Sequence, residues 1–115
     1  MLELIVLTTF VKPIPINQKL KRGQGSRMYI SEEYSNSWNL ISKDFRKQYK
    51  GNLILGNVNV DIIHTYQRYD VDALSKSVLD VLQDIVYRND RQVKRYSVSK
   101  ESSIQEILIV KVSIL

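Results

Sequence analysis

Apolar and polar positions along the chain predict six successive elements. Leu2 to Thr8 is apolar apart from Glu3 and reads as a buried strand over residues 2–8. Lys12-Pro13-Ile14-Pro15-Ile16-Asn17 is excluded from helix, because each proline drives its predecessor toward extended geometry. Gln18 to Met28, with Gly23 and Gly25 among basic residues, reads as a loop. Ser31 is a good helix N-cap, and Glu32 and Glu33 suit a first turn. Tyr34, Trp38, Ile41, Phe45 and Tyr49 then recur at helical spacing, and Lys47, Lys50 and Gly51 supply stop signals, so the pattern predicts a helix over 32–49. Such an aromatic stripe is read as core rather than as a platform for stacked bases.

Val58, Val60 and Ile62 alternate with Asn57, Asn59 and Asp61, predicting a half-buried strand to about Tyr66, with a bulge or fresh start near Gly56. Val71, Leu74, Val78, Val81, Leu82 and Ile85 form the apolar side of a second helix over 71–86. A turn at Arg88-Asn89-Asp90 follows, then a strand over 92–98. Lys100 to Ser103 reads as a hairpin connection to a last strand, in which Leu108, Val110, Val112 and Ile114 alternate. The order β-α-β-α-β-β predicts an α+β fold, a mixed β-sheet with two main helices packed on it, in a single domain over 1–115.

Composition narrows the chemistry. No apolar run approaches the roughly 20 residues of a bilayer span, and Met1 to Leu7 lacks the basic start of a signal peptide. The absence of cysteine excludes disulfides, thiolate-bound zinc and thiol catalysis, and fits a reducing cytoplasm. One histidine, His64, makes a Ser-His-Asp triad a poor candidate and is read as structural. A bound metal would therefore take oxygen ligands, favouring magnesium or manganese. Seventeen Lys and Arg against twelve Asp and Glu leave a charge of +5. The basic residues cluster: Lys19, Lys21, Arg22 and Arg27 in the glycine-containing loop, Lys43, Arg46, Lys47 and Lys50 at a helix end, and Arg88, Arg91, Lys94 and Arg95 beside an acidic stretch. The helix-end cluster is explained equally well by the helix dipole. The other two suit phosphate contacts.

The acidic stretch is Asp70-Val71-Asp72, with Lys76 and Asp80 following at intervals of four residues and Asp90 after the helix. Two readings are open on spacing. Asp70 and Asp72 could cap a helix and complement its dipole, with Asp72, Lys76 and Asp80 an ordinary ion-pair ladder. Alternatively, if both ends of the helical unit lie beside the same sheet, Asp90 approaches Asp70 and Asp72, and three mutually repelling carboxylates create affinity for a divalent cation.

The pattern D-x-D-(x)3-K-(x)3-D, then an aromatic residue, a carboxylate turn and Q-V, resembles the RusA-type Holliday junction resolvases. It is carried here by Asp70, Asp72, Lys76, Asp80, Tyr87, Asp90, Gln92 and Val93. Weaker echoes are Pro13-Ile14-Pro15-Ile16-Asn17 and the basic-aromatic-Ser entry Arg27-Met28-Tyr29-Ile30-Ser31. The resemblance implies a small dimeric, magnesium-dependent (or manganese-dependent) endonuclease of branched DNA, bacterial or phage-encoded and cytoplasmic. It acts in recombination and repair, and cuts four-way junctions by paired symmetric nicks. It also implies that Asp70, Asp72 and Asp90 bind the metal, that Lys76 assists at the scissile phosphate, and that Asp80 is a fourth acidic member or orients Lys76. Lys19, Lys21, Arg22, Arg27, Arg68, Arg88 and Arg91 are the candidate DNA contacts. Two positions depart from the family pattern. Ala73 stands where an asparagine is usual, and Asn89 replaces the first aspartate of the turn. They leave open a nuclease of broader branched or flap preference, or a junction binder with weakened catalysis.

Overall fold

A computed structural model describes residues 4–23 and 28–115. Among the described residues six strands and two α-helices follow one another as β1 (Leu4–Thr9), β2 (Leu20–Arg22), β3 (Met28–Ile30), α1 (Glu32–Gln48), β4 (Val58–His64), α2 (Ser75–Leu82), β5 (Val93–Lys100) and β6 (Leu108–Ile114). The fold is α+β. Four strands form a mixed sheet in the order β1-β6-β4-β5, in which only β4 and β5 run parallel, and β2 and β3 form a small antiparallel pair.

Strict alternation explains the layering. Ile5 and Leu7 of β1, Val58, Val60 and Ile62 of β4, and Leu108, Val110 and Val112 of β6 lie in register on one face. They join Ile41 and Phe45 of α1 and Leu74, Val78, Val81 and Leu82 around α2 in one buried core. Both helices pack there, α1 against β1 and against α2. Ser31 caps α1 as its sequence suggests, its hydroxyl accepting the Tyr34 amide at 2.9 Å.

Three expectations need correction. The second helix is shorter than 71–86. Residues 71–74 form tight turns, with the Ala73 amide on the Asp70 carbonyl and the Ser75 amide on the Asp72 carbonyl, so regular helix begins at Ser75. It stops at Leu82 because Asp84 adopts φ 65°, the left-handed conformation that ends helices and that few non-glycine residues take. The link between β5 and β6 is no hairpin. Those strands flank β4 on opposite sides, and residues 101–107 cross the end of β4, where the Glu101 amide bonds the His64 carbonyl and the Thr65 amide the Ile107 carbonyl. The expected loop at 18–28 contains the strand β2 and runs into the start of β3. Met28, Tyr29 and Ile30 are all exposed and show no alternation of burial from which a strand could be read.

Candidate metal and DNA site

The motif Asp70-Val71-Asp72 lies on the turn that follows the end of β4. Here the backbone carbonyls are fully occupied. Asp70 accepts from the Ala73 amide (3.1 Å), Val71 faces the Nε2 of His64 (3.2 Å), and Asp72 accepts from the Ser75 amide (3.2 Å). The two carboxylates are thereby left to the surface. Both residues are exposed, and neither side chain has a hydrogen-bond or ion-pair partner among the described residues. They line an open cleft with Arg68, Tyr69 and Ala73 on their own side and Pro15, Ile16, Asn17 and Gln18 on the other.

The far wall is the proline-bearing segment, and its attachment is unusual. Prolines 13 and 15 have no amide to offer a strand, so the segment is held through its carbonyls by side-chain hydroxyls. Tyr66 donates to Val11 (3.4 Å), Ser37 to Lys12 (2.6 Å), Tyr69 to Pro13 (3.3 Å) and Ser77 to Ile14 (2.7 Å). Lys12 also sits over the Tyr69 ring, 5.6 Å from its centre. Four consecutive carbonyls are thus fixed by residues of α1, of the 65–74 segment and of α2, which brings Asn17 into the same cleft as Asp70 and Asp72. Tyr66 and Tyr69 act as packing and anchoring residues. Burial pushes the Tyr66 phenol up to about 12, with Glu106 and Tyr69 adding to the shift, so it remains a donor at any ordinary pH.

The other acidic members do not join this cleft within one chain. Parallel pairing puts Val93 opposite Val58 and Lys100 opposite His64, so Asp90 belongs to the starting end of β4, while Val71 is pinned to its finishing end. The strand between them spans about 20 Å. Asp90 sits in a short 3-10 turn (Asp90–Gln92) tied to residues before β4, and among the described residues no three acidic or histidine side chains are gathered for a metal. Asp80 faces a different cleft, lined by Lys19, Ile30, Tyr34, Ser35, Trp38 and Asn39. Tyr87 is buried near Asp80 and Asp90. Burial first, then the charges of Asp90 and Asp80, pushes its phenol up, and it donates to the Leu79 carbonyl at 2.9 Å. Lys76 is exposed in the first turn of α2, and no ion-pair ladder joins it to Asp72 or Asp80 among the described residues.

The basic candidates divide in the same way. Arg68 lines the Asp70–Asp72 cleft. Lys19 lies 5.7 Å above the Tyr34 ring, and Lys21 is exposed on β2. Arg88 and Arg91 are exposed at the Asp90 end. Arg27 lies outside the described residues, as does the side chain of Arg22.

One residue whose role the sequence does not disclose is Gln92. Its Oε1 accepts the amides of Arg88 and Asn89, both at 3.1 Å, and its Nε2 donates to the carbonyls of Ile54 (2.7 Å) and Gly56 (2.8 Å). Asn89 also has a structural task. Its side chain caps the turn by accepting the Arg91 amide at 2.9 Å, as an aspartate would, so this departure leaves the turn intact.

A basic α+β domain with an exposed carboxylate pair in an arginine-flanked cleft is the build of a small nuclease. The family model Endodeoxyribonuclease RusA matches residues 11–113, nearly the whole chain, and the protein belongs to that family. Membership implies the nuclease activity of a Holliday junction resolvase, directed at branched DNA. No curated protein matches the chain. No helix among the described residues is long and apolar enough to cross a membrane.

Proposed function

We propose that the protein is a magnesium-dependent, structure-specific endodeoxyribonuclease that resolves four-way DNA junctions by paired nicks as a homodimer, in bacterial recombination and repair. The observation that carries this reading is the pair Asp70 and Asp72, unpartnered and exposed in a cleft beside Arg68. Two carboxylates with hard oxygen donors suit magnesium, or manganese in its place, because such a site is usually completed by waters and substrate phosphate. A cation held there would polarise the scissile phosphate and lower the pKa of an attacking water. Lys76, one turn beyond Asp72, would meet charge developing on that phosphate. Arg68 would hold the adjoining backbone, with Lys19, Lys21, Arg22 and Arg27 further along it.

Asp90 enters through the dimer. A twofold substrate calls for a twofold enzyme, and a partner can bring its own Asp90 to a cleft that the same chain's Asp90 does not reach. Asp72→Asn is expected to abolish nicking of a four-way junction in magnesium while leaving junction binding in chelator unchanged. Near-normal nicking by that variant would overturn the assignment. Ala73 favours a second reading, a junction binder with weakened catalysis, since it lines the cleft where the family usually carries an amide. Comparing four-way junction, flap and linear duplex as substrates separates a resolvase from a broader nuclease, and tight binding without metal-stimulated cleavage identifies the binder.

A further inference from the structure

We propose that His64 is a positioning residue for the Asp70–Asp72 pair, an inference that rests on those carboxylates being the metal-binding pair. His64 closes β4 and is wholly buried, 0% exposed, in a face otherwise made of Val58, Val60 and Ile62. A buried imidazole in such a setting must have both ring nitrogens satisfied, and both are. Nδ1 lies 3.2 Å from the Tyr66 backbone amide, which can only donate, so Nδ1 is the acceptor. The single ring proton of neutral imidazole is then on Nε2, 3.2 Å from the Val71 carbonyl, which can only accept. The local backbone therefore dictates one tautomer and one ring orientation.

The bond to Val71 falls between the two carboxylates. The neighbouring carbonyls at Asp70 and Asp72 are held by amides of the turn itself, and Val71 alone depends on a side chain from outside the turn. The Val71 side chain is 46% exposed and supplies little packing to hold the peptide in place. Meanwhile the His64 backbone is fixed on both sides, paired with Lys100 of β5 and Leu108 of β6. His64 thus transmits the rigidity of the sheet to the peptide that spaces Asp70 from Asp72. It touches neither substrate nor metal. Partners hydrogen-bonded to the ligands themselves typically tune metal affinity by 10–100-fold, and a bond to the peptide between two ligands belongs at the lower end of that range.

The test compares His64→Asn, whose amide reaches only the Nδ1 position, with His64→Gln, whose amide nitrogen reaches the Nε2 position and keeps a donor for Val71. His64→Asn is expected to raise the magnesium concentration for half-maximal nicking about tenfold, with junction affinity in chelator unchanged, and His64→Gln to restore most of the loss. A His64→Asn protein with the magnesium dependence of wild type, or a His64→Gln protein no better than His64→Asn, overturns the proposal. Imidazole nitrogen NMR on the unaltered protein decides independently of whether either variant folds. A proton on Nε2 supports the role, and a proton on Nδ1 overturns it. Asp72→Asn, run alongside, reports on the underlying site. If it still nicks, the metal assignment itself has failed, whatever the His64 variants do.

Discussion

At Gln92 both amide hydrogens and both directions of the carbonyl oxygen are engaged, which makes this one side chain the clasp between the Asp90 turn and the backbone at Ile54 and Gly56. Gln92→Ala would leave two amides and two carbonyls to find water at a partly buried site. We expect a loss of about 1–2 kcal/mol in urea unfolding, together with reduced nicking, because Asp90 would lose its fixed mount. In the sequence Gln92 is legible only as one letter of a pattern after Tyr87, since its two bonds to the carbonyls of Ile54 and Gly56, a segment at least 36 residues away, leave no local periodicity. Asn89 illustrates the converse. As a departure from the family pattern it suggests weakened chemistry, whereas its capping bond to Arg91 gives it a structural reason to be there.

Among the elements, α2 shows where periodicity stops being informative. Its apolar stripe runs from Val71 to Ile85, yet helix survives only over Ser75–Leu82. A tertiary bond from His64 takes over at the first end and the left-handed backbone of Asp84 at the second. Asp84 occupies the position after the C-cap where glycine is favoured, so Asp84→Gly should stabilise the protein by about 0.5–1 kcal/mol, relieving the side-chain penalty at positive φ. A lower thermal midpoint for that variant would contradict this account. Strands whose inner faces alternate cleanly, β1, β4 and β6, are legible in advance. The parallel partnership of β4 with β5 is not, because β5 is largely exposed and its neighbours are set by the crossover through α2. Apart from the small β2–β3 pair, the order of elements along the chain therefore reads correctly, while the order of strands in the sheet does not.

At the scale of the whole molecule the acidic constellation is split, with Asp70 and Asp72 at one end of β4 and Asp90 at the other. A site completed across a dimer makes a sharp forecast. Asp72→Asn and Asp90→Asn proteins, each inactive alone, should regain single-strand nicking when mixed, because the mixed dimer assembles one intact site. If the site forms within one chain, the mixture stays inactive. The candidate residues were legible in the sequence, but their separation was not, since the direction of β5 decides which end of the sheet Asp90 meets. The proline-bearing wall of the cleft carries a different consequence. Across residues 11–14 every long-range anchor is a carbonyl: the Val11 amide reaches only the nearby Thr9 hydroxyl (3.1 Å), Pro13 and Pro15 have no amide, and the Lys12 and Ile14 amides make no hydrogen bond among the described residues. Deuterium exchange would therefore score this wall as loose, although Ile14 is 6% exposed and its neighbours are fixed in place. The methyl signals of Ile14, and not its amide, are the faithful reporter of order on that side of the cleft.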